Sequence, residues 1–320
     1  MLDIVNLALP FFGLILLGFV CGKIKRLPDH GLAWMGFFVV YMALPALFFR
    51  ILAQTPFDEL AQTWFIVGTT LSTFSVFVIA FAISYAMRRR NLAEATIAAL
   101  AGSYGNIGFM GPGLALATLG SQATAPVALI FCFDQLLLFT LVPLLMSFAG
   151  TVHKSPLAIL AAVAIRIGTN PFIIASALGV VSAATHFQPP IALERLLAFL
   201  QNGAAPCALF ALGVTVALRP LDRVPWEVPI LAVIKLVVHP TVVLVVLSLL
   251  GPFTETWIAT AVLMAALPQA LNVFVMARQY DAWVAQASTS VLLGTLLSVV
   301  TLTTVMWIVK THALPLHLFH

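Results

Sequence analysis

The sequence predicts an all-α integral membrane protein of ten transmembrane helices, built as two inverted five-helix repeats with interrupted crossing helices four and nine. Three observations carry this reading. Apolar residues fill 62% of the 320 positions, charged residues only 8%, and mean hydropathy is +1.10, far from the soluble balance. Apolar runs of about 20 residues recur, each long enough to cross a ~30 Å hydrocarbon core. Two short motifs also recur in the two halves at one common spacing.

Breaks at polar, Pro and Gly clusters divide the chain into spans near 3–22, 33–52, 63–87, 92–118, 123–148, 156–182, 193–217, 226–250, 256–280 and 283–309. The first run has Asp3 before it and Lys23, Lys25 and Arg26 after it, the reverse of a signal peptide, and reads as an uncleaved span. Loops after the odd-numbered spans hold Lys23, Lys25, Arg26, Arg88, Arg89, Arg90, Lys154, Arg219, Arg223 and Arg278, ten of the fifteen Lys and Arg residues. The positive-inside rule then makes those loops cytoplasmic and both termini non-cytoplasmic, in a multi-pass protein of the cell (inner) membrane. Cys21, Cys132 and Cys207 fall in or beside apolar runs and read as packing residues. The net charge of +4 sits in loops and does not point to nucleic acid. No cofactor or metal site is expected.

"PFFGLILLG" (Pro10 to Gly18) matches "PFIIASALG" (Pro171 to Gly179), and "LPALFF" (Leu44 to Phe49) matches "APCALF" (Ala205 to Phe210), both at an offset of 161. The repeats are therefore 1–149 and 150–320, and an odd number of spans in each inverts the second relative to the first. Span four carries "YGNIGFMGPGLAL", Tyr104 to Leu116, where four glycines, a proline and an asparagine interrupt the apolar run. Lipid offers no partner to freed backbone groups, so such a break must be buried in protein or line a water-filled cavity. The counterpart in span nine is "AALPQALNVFVMARQY", with Pro268 and Gln269 mid-span. Two interrupted helices from inverted halves are expected to cross near the midplane and aim positive half-helix ends at one central site suited to an anion. Gly105, Asn106, Pro268, Gln269 and Asn272 are the candidate site residues, the amides because they both donate and accept.

Other residues admit two readings. Gly102, Gly108 and Gly111 read as a smooth packing face. Asp134 lies mid-span, where an acid costs ~3 kcal/mol on insertion scales. It is either half of a structural pair with a buried cation or amide, or a group that takes up a proton during coupling. Lys235 precedes His239 by one turn on the same face. It serves to attract an anion, pairs with Asp134, or snorkels toward a helix end. His239, ahead of Pro240, is structural or part of a proton relay. Arg166, near Asn170 and Pro171, is an interface anchor or lines the pore. Arg50, Arg195 and Arg278 read as interfacial charges, and Pro45 and Pro206 as symmetric helix kinks.

"LPALFF", "GNIGFMGPGLAL", "NPFIIASALG", "KLVVHP" and "LPQALNVFVMARQY", in this order along the chain, resemble the auxin efflux carrier family. That family includes plant PIN exporters and bacterial permeases described as malonate or malate transporters, and it shares a superfamily with bile-acid sodium symporters. The resemblance implies elevator-type transport of small organic anions. Spans 1, 2, 6 and 7 would form a scaffold, spans 3–5 and 8–10 a transport domain, and two copies a homodimer. It also places Asn106 where the family's crossover asparagine meets substrate carboxylate. Two departures matter, and the second favours an acid smaller and more polar than auxin. Gly105 replaces a crossover proline, and "TWFIVGTTLSTFSVFVIAF" lacks the Asp and Lys that PIN proteins carry in span three.

The expected function is therefore secondary transport of mono- or dicarboxylates across the bilayer, with coupling to protons, and the alternative is a sodium-coupled symporter of the bile-acid type. The chain has no G-x-S-x-G or H-E-x-x-H motif and no paired mid-membrane carboxylates, so an enzyme is not expected.

Overall fold

The computed structural model describes residues 2–25, 29–57, 61–87, 91–150, 161, 164–165, 168–218, 224–311 and 313, and its regular elements are helices. They are α1 (Leu2–Lys25), α2 (Asp29–Phe38), α3 (Leu44–Ala53), α4 (Thr63–Met87), α5 (Leu92–Ser103), α6 (Gly111–Leu119) and α7 (Thr124–Phe148). After these come α8 (Pro171–Ala184), α9 (Ile191–Ala217), α10 (Glu227–Val233), α11 (His239–Leu250), α12 (Glu255–Ala265), α13 (Leu271–Gln279) and α14 (Val284–Thr311). Two π-helical turns, Val39–Ala43 and Ile234–Val238, join α2 to α3 and α10 to α11.

Six described helices are long and apolar enough to cross a membrane: Gly31–Ala53, Thr63–Met87, Ser121–Phe148, Ile191–Ala217, Glu227–Leu250 and Val284–Thr311. The remaining expected spans depart from that set for visible reasons. The fourth and ninth are each split into two short helices, the sixth is described mainly over Pro171–Ala184, and the first is the 24-residue helix α1, which lies outside that set. Arg166, and the loop cations Arg26, Arg88, Arg89, Arg90, Lys154, Arg219 and Arg223, lie outside the described residues.

Local chemistry accounts for the helix ends and irregularities. The Asn91 side chain accepts from Glu94 N at 3.1 Å and starts α5, and Asn170 accepts from Phe172 N at 2.9 Å and starts α8. Gly120, at φ +77°, ends α6 in a backbone conformation that side chains resist. Pro45 and Pro240, near the starts of α3 and α11, offer no N–H, and the helix widens just upstream. Leu44 N there bonds to Val39 O and His239 N to Ile234 O, each five residues back. The expected symmetry of Pro45 and Pro206 does not extend to this widening, because α9 runs α-helical through Pro206.

The chain divides into two compact units. Unit 1 comprises Met1–Gln62, Gly108–Cys132 and Gly168–Pro220, and unit 2 comprises Thr63–Ile107, Phe133–Ile167 and Leu221–His320. The division falls inside span four and inside α7.

In unit 1, glycines let helix backbones touch, the association mode available where lipid is as apolar as the side chains. α1 packs on α9 and α3 on α8. A Cβ added at Gly18 would lie 2.2 Å from the carbonyl oxygen of Phe210, and one at Gly179 would lie 2.8 Å from that of Phe49. Gly18 and Gly179, like Phe49 and Phe210, are 161 positions apart. One backbone contact is thus made twice, with the roles of the two halves exchanged. Phe48 stacks on Phe131 at 4.1 Å and Phe172 meets both rings edge-on, filling the rest of this core.

In unit 2, α4 packs between α5 and α11, and α14 packs on α10, α12 and α13. Most buried hydroxyls here turn back on their own helix. Thr69 donates to Phe65 O, Ser72 to Gly68 O, Ser103 to Ala99 O, and Thr295 to Val291 O. A hydroxyl that does otherwise is therefore informative.

Candidate functional site

Both helix breaks lie in unit 2 at the point where they meet. α5 ends at Ser103, and Tyr104 turns to extended backbone at φ −92°, ψ 110°. α12 ends at Ala265, and Ala270 is extended at φ −70°, ψ 146° before α13 begins. The two extended pieces run antiparallel, pairing Gly105 with Gln269. Asn106 N donates to Pro268 O at 2.8 Å, and Ala270 N donates to Tyr104 O at 3.2 Å. Backbone groups freed by one break are satisfied by the other, so an interruption in either helix needs its partner.

The side chains at this crossing are buried and unsatisfied. Asn106 is 1% exposed and Gln269 0%. Asn106 Nδ2, Gln269 Nε2 and Oε1, and Ser290 Oγ have no hydrogen-bond partner among the described residues. An unmade bond on a buried polar group costs about 1–3 kcal/mol, so these atoms stand open to a polar partner. Gly294 makes the room for Gln269. A Cβ there would fall 1.5 Å from Gln269 Oε1, and Ser290 lies one turn earlier on the same face of α14. Asn272, half-buried, sits in the first turn of α13 beside the positive end of that helix. The Tyr104 hydroxyl donates to Gln135 Oε1 at 2.6 Å and anchors the crossing to α7.

A second set of polar groups lies beside it. Lys235 is 0% exposed, and its ammonium donates to the carbonyl of Ala265, the last residue of α12, and to His239 Nδ1 at 3.2 Å. His239 Nε2 is 3.3 Å from Thr73 Oγ1, which donates to Asp134 Oδ2 at 3.0 Å. Hydrogen-bond logic sets the protons in this chain. With Asp134 ionised, Thr73 gives its one proton to the carboxylate and accepts from His239 Nε2–H, and the neutral ring then accepts at Nδ1 from a Lys235 ammonium. Asp134 Oδ1 remains without a partner among the described residues.

The eight residues singled out in the sequence thus all belong to unit 2. Gly105, Asn106, Pro268 and Gln269 form the crossing itself, with Asn272 in the next turn. Lys235 touches the crossing, its Nζ 3.1 Å from where a Gly105 Cβ would stand, and Asp134 connects to it through Thr73 and His239. Gly102 packs on Ala80, and Gly108 on the Phe131 ring, as a packing role requires. Arg50 pairs with Glu194 at 2.7 Å, and Arg278 lies over the Phe274 ring. A hollow of about 700 Å³ in unit 1, beside Gln54, Thr55, Ser182 and His186, is lined by none of the eight. Sequence reasoning missed Thr73, Gln135, Ser290 and Gly294. Gly294, the one glycine of α14, was the available signal.

Comparison with known proteins bears on this geometry. A family profile described as "Membrane transport protein" matches residues 3–307. A "Putative malonate transporter" of Rhizobium meliloti (strain 1021) is 47% identical over 319 residues, covering 100% of both chains. "Auxin efflux carrier component 5" of Arabidopsis thaliana is 26% identical over 152 residues, 46% of this chain and 43% of that protein.

Proposed function

This chain belongs to the membrane transport protein family of auxin efflux carriers, and from that premise we propose that it is a secondary carrier of a small dicarboxylate such as malonate, bound at the crossing of the two helix breaks. It is a transporter and not an enzyme. One observation carries the site: the amide groups of Asn106 and Gln269, buried and with atoms unpartnered among the described residues, stand where two broken helices meet. Neutral donors beside the positive end of α13 suit a carboxylate without holding it too tightly to release.

The carrier reading extends to architecture. Ten spans in two inverted repeats are supported by the reciprocal contacts of Gly18 with Phe210 and Gly179 with Phe49, which an inverted repeat generates. Elevator movement, with spans 3–5 and 8–10 carrying the site against a homodimer's scaffold of spans 1, 2, 6 and 7, is supported by the gathering of all eight candidate residues, each on one of those moving spans, in one compact unit. Placement in the cell membrane with both termini non-cytoplasmic belongs to the same reading.

The test is counterflow of labelled malonate in proteoliposomes, with malate and indole-3-acetate alongside. Saturable malonate exchange is expected, reduced by about a hundredfold in Asn106→Ala through loss of a bond to a charged group and its geometry. Exchange untouched by that substitution removes the site, and absence of exchange by folded protein removes the substrate class.

Coupling to protons is assigned to Asp134, whose second oxygen has no partner among the described residues and whose first leads through Thr73 and His239 to the crossing. An inward proton gradient is expected to drive malonate accumulation by the wild type and not by Asp134→Asn, which should keep exchange at zero gradient. Gradient-driven accumulation by Asp134→Asn would exclude this residue.

A further inference from the structure

The crossing has two electrical ends. α13 begins there and presents the positive end of a helix. α5 and α12 finish there and present carbonyls, the negative ends. α5 closes on itself, with Tyr104 N bonded to Leu100 O. α12 closes in the same way, with Ala266 N bonded to Val262 O and Leu267 N to Met264 O at 3.4 Å, and beyond these bonds the Ala265 carbonyl is taken by the Lys235 ammonium. The Met264 carbonyl borders the same small space, 3.4 Å from the position of a Gly105 Cβ that would itself stand 3.1 Å from Lys235 Nζ. His239 Nδ1 completes the surroundings, and the Asp134 carboxylate lies beyond it through Thr73.

Carbonyl oxygens at a helix C-terminus with a nearby carboxylate make a cradle for a hard monovalent cation. A lysine filling it from a mid-span position is not snorkelling, because it is fully buried and its head is bonded to another helix's carbonyl. We propose that Lys235 is a built-in counter-cation: its ammonium permanently occupies a carbonyl cradle at the end of α12 that would otherwise take a sodium-sized ion from solution. The inference deepens the carrier reading, since it makes transport independent of dissolved sodium. The positive charge that balances Asp134 is then part of the protein and moves with the transport spans. It also explains Gly105, because a side chain there would press on the ammonium.

Removing the charge and its stem should empty the cradle for a small cation. Purified wild type, Lys235→Ala, Lys235→Met and Lys235→Arg are compared in sodium or lithium chloride against choline chloride, by thermal melting in detergent and by malonate counterflow. Wild type and Lys235→Arg are expected to behave alike in all three salts. Lys235→Ala is expected to melt higher, saturably, in sodium or lithium than in choline, and to exchange malonate about tenfold faster in the small cations. Lys235→Met keeps the stem without the charge and blocks the cradle, so it should lose transport in every salt.

Three results overturn the proposal: sodium-dependent melting of the wild type, melting of Lys235→Ala indifferent to cation, or full transport by Lys235→Met in choline. Lys235→Met decides between the outcomes if Lys235→Ala does not fold. Melting needs no substrate, so a wrong substrate class would leave the cation result standing and be recognised separately.

Discussion

The two helix breaks occupy matching places in the two halves yet are finished differently. The first, from Tyr104 to Met110, is rich in glycine and closes its carbonyl end with its own backbone. The second, from Ala266 to Ala270, has proline and glutamine and adds to its own backbone closure a lysine from another helix, bonded to Ala265 O. Each break also depends on the other's choice. Gly105 leaves room for the Lys235 head, and the second break lends Pro268 O and Ala270 N to the first. On the inverted-repeat reading proposed above, a duplicated fold does not require duplicated chemistry. Here the shared backbone crossing persists while the cation is supplied once.

The largest effect should come from closing the space behind the second break. Gly294→Ala would set a methyl 1.5 Å from Gln269 Oε1, so the amide must leave its place. Overpacking of this kind costs about 1–3 kcal/mol in stability. Displacing a buried ligand-facing amide should lower malonate exchange by about a hundredfold or more, since misplacement by an ångström alone can cost that much. Proteoliposome exchange and melting, measured together, separate the two effects. Near-normal exchange would mean that Gln269 does not face the substrate and that the second break is structural.

Much of this was legible in the sequence, because the rules involved are about what lipid forbids. A glycine, proline and amide cluster inside an apolar run announces a break, and a lysine and histidine one turn apart share a face in any helix. The parts that were hidden depend on which of several equivalent groups the tertiary fold selects. α4 reads "TTLSTFS", and each hydroxyl there could bond to its own helix, as Thr69 and Ser72 do. Thr73 reaches Asp134 only because α7 passes beside it, and no local pattern records that. The π-helical turn that carries Lys235 follows from Pro240, but the sequence does not tell whether proline will bend, widen or leave a helix unchanged. Pro206 and Pro45 show two of those outcomes.

An intermediate effect is expected at that selected hydroxyl. Thr73→Val keeps the shape of the side chain but removes both the donor to Asp134 and the acceptor for His239. Leaving buried partners unsatisfied costs about 1–3 kcal/mol. Melting should fall accordingly, and proton-driven accumulation should weaken more than exchange at zero gradient. Thr73→Ser should restore both. Equal loss of exchange and accumulation, with no rescue by serine, would detach the chain from coupling and leave it a packing feature.

The smallest effect tests the first break. A Cβ at Gly105 would lie 3.1 Å from Lys235 Nζ, 3.2 Å from its Cε and 3.4 Å from the Met264 carbonyl. The nearest neighbour is the tip of a flexible side chain that need withdraw only a few tenths of an ångström, whereas the Gln269 amide, 1.5 Å from a Gly294 Cβ, must leave its place altogether. Gly105→Ala should therefore fold with a loss under about 1.5 kcal/mol and slow exchange by only a few fold. Because the withdrawal loosens the ammonium from Ala265 O, the residual effect should vanish in a Lys235→Ala background, where there is no head to displace. Melting and exchange of the single and double variants form the cycle that measures this. A Gly105→Ala defect as large as that of Gly294→Ala, and unchanged without the lysine, would mean that the first break serves the substrate directly and that its glycine is more than clearance for a cation.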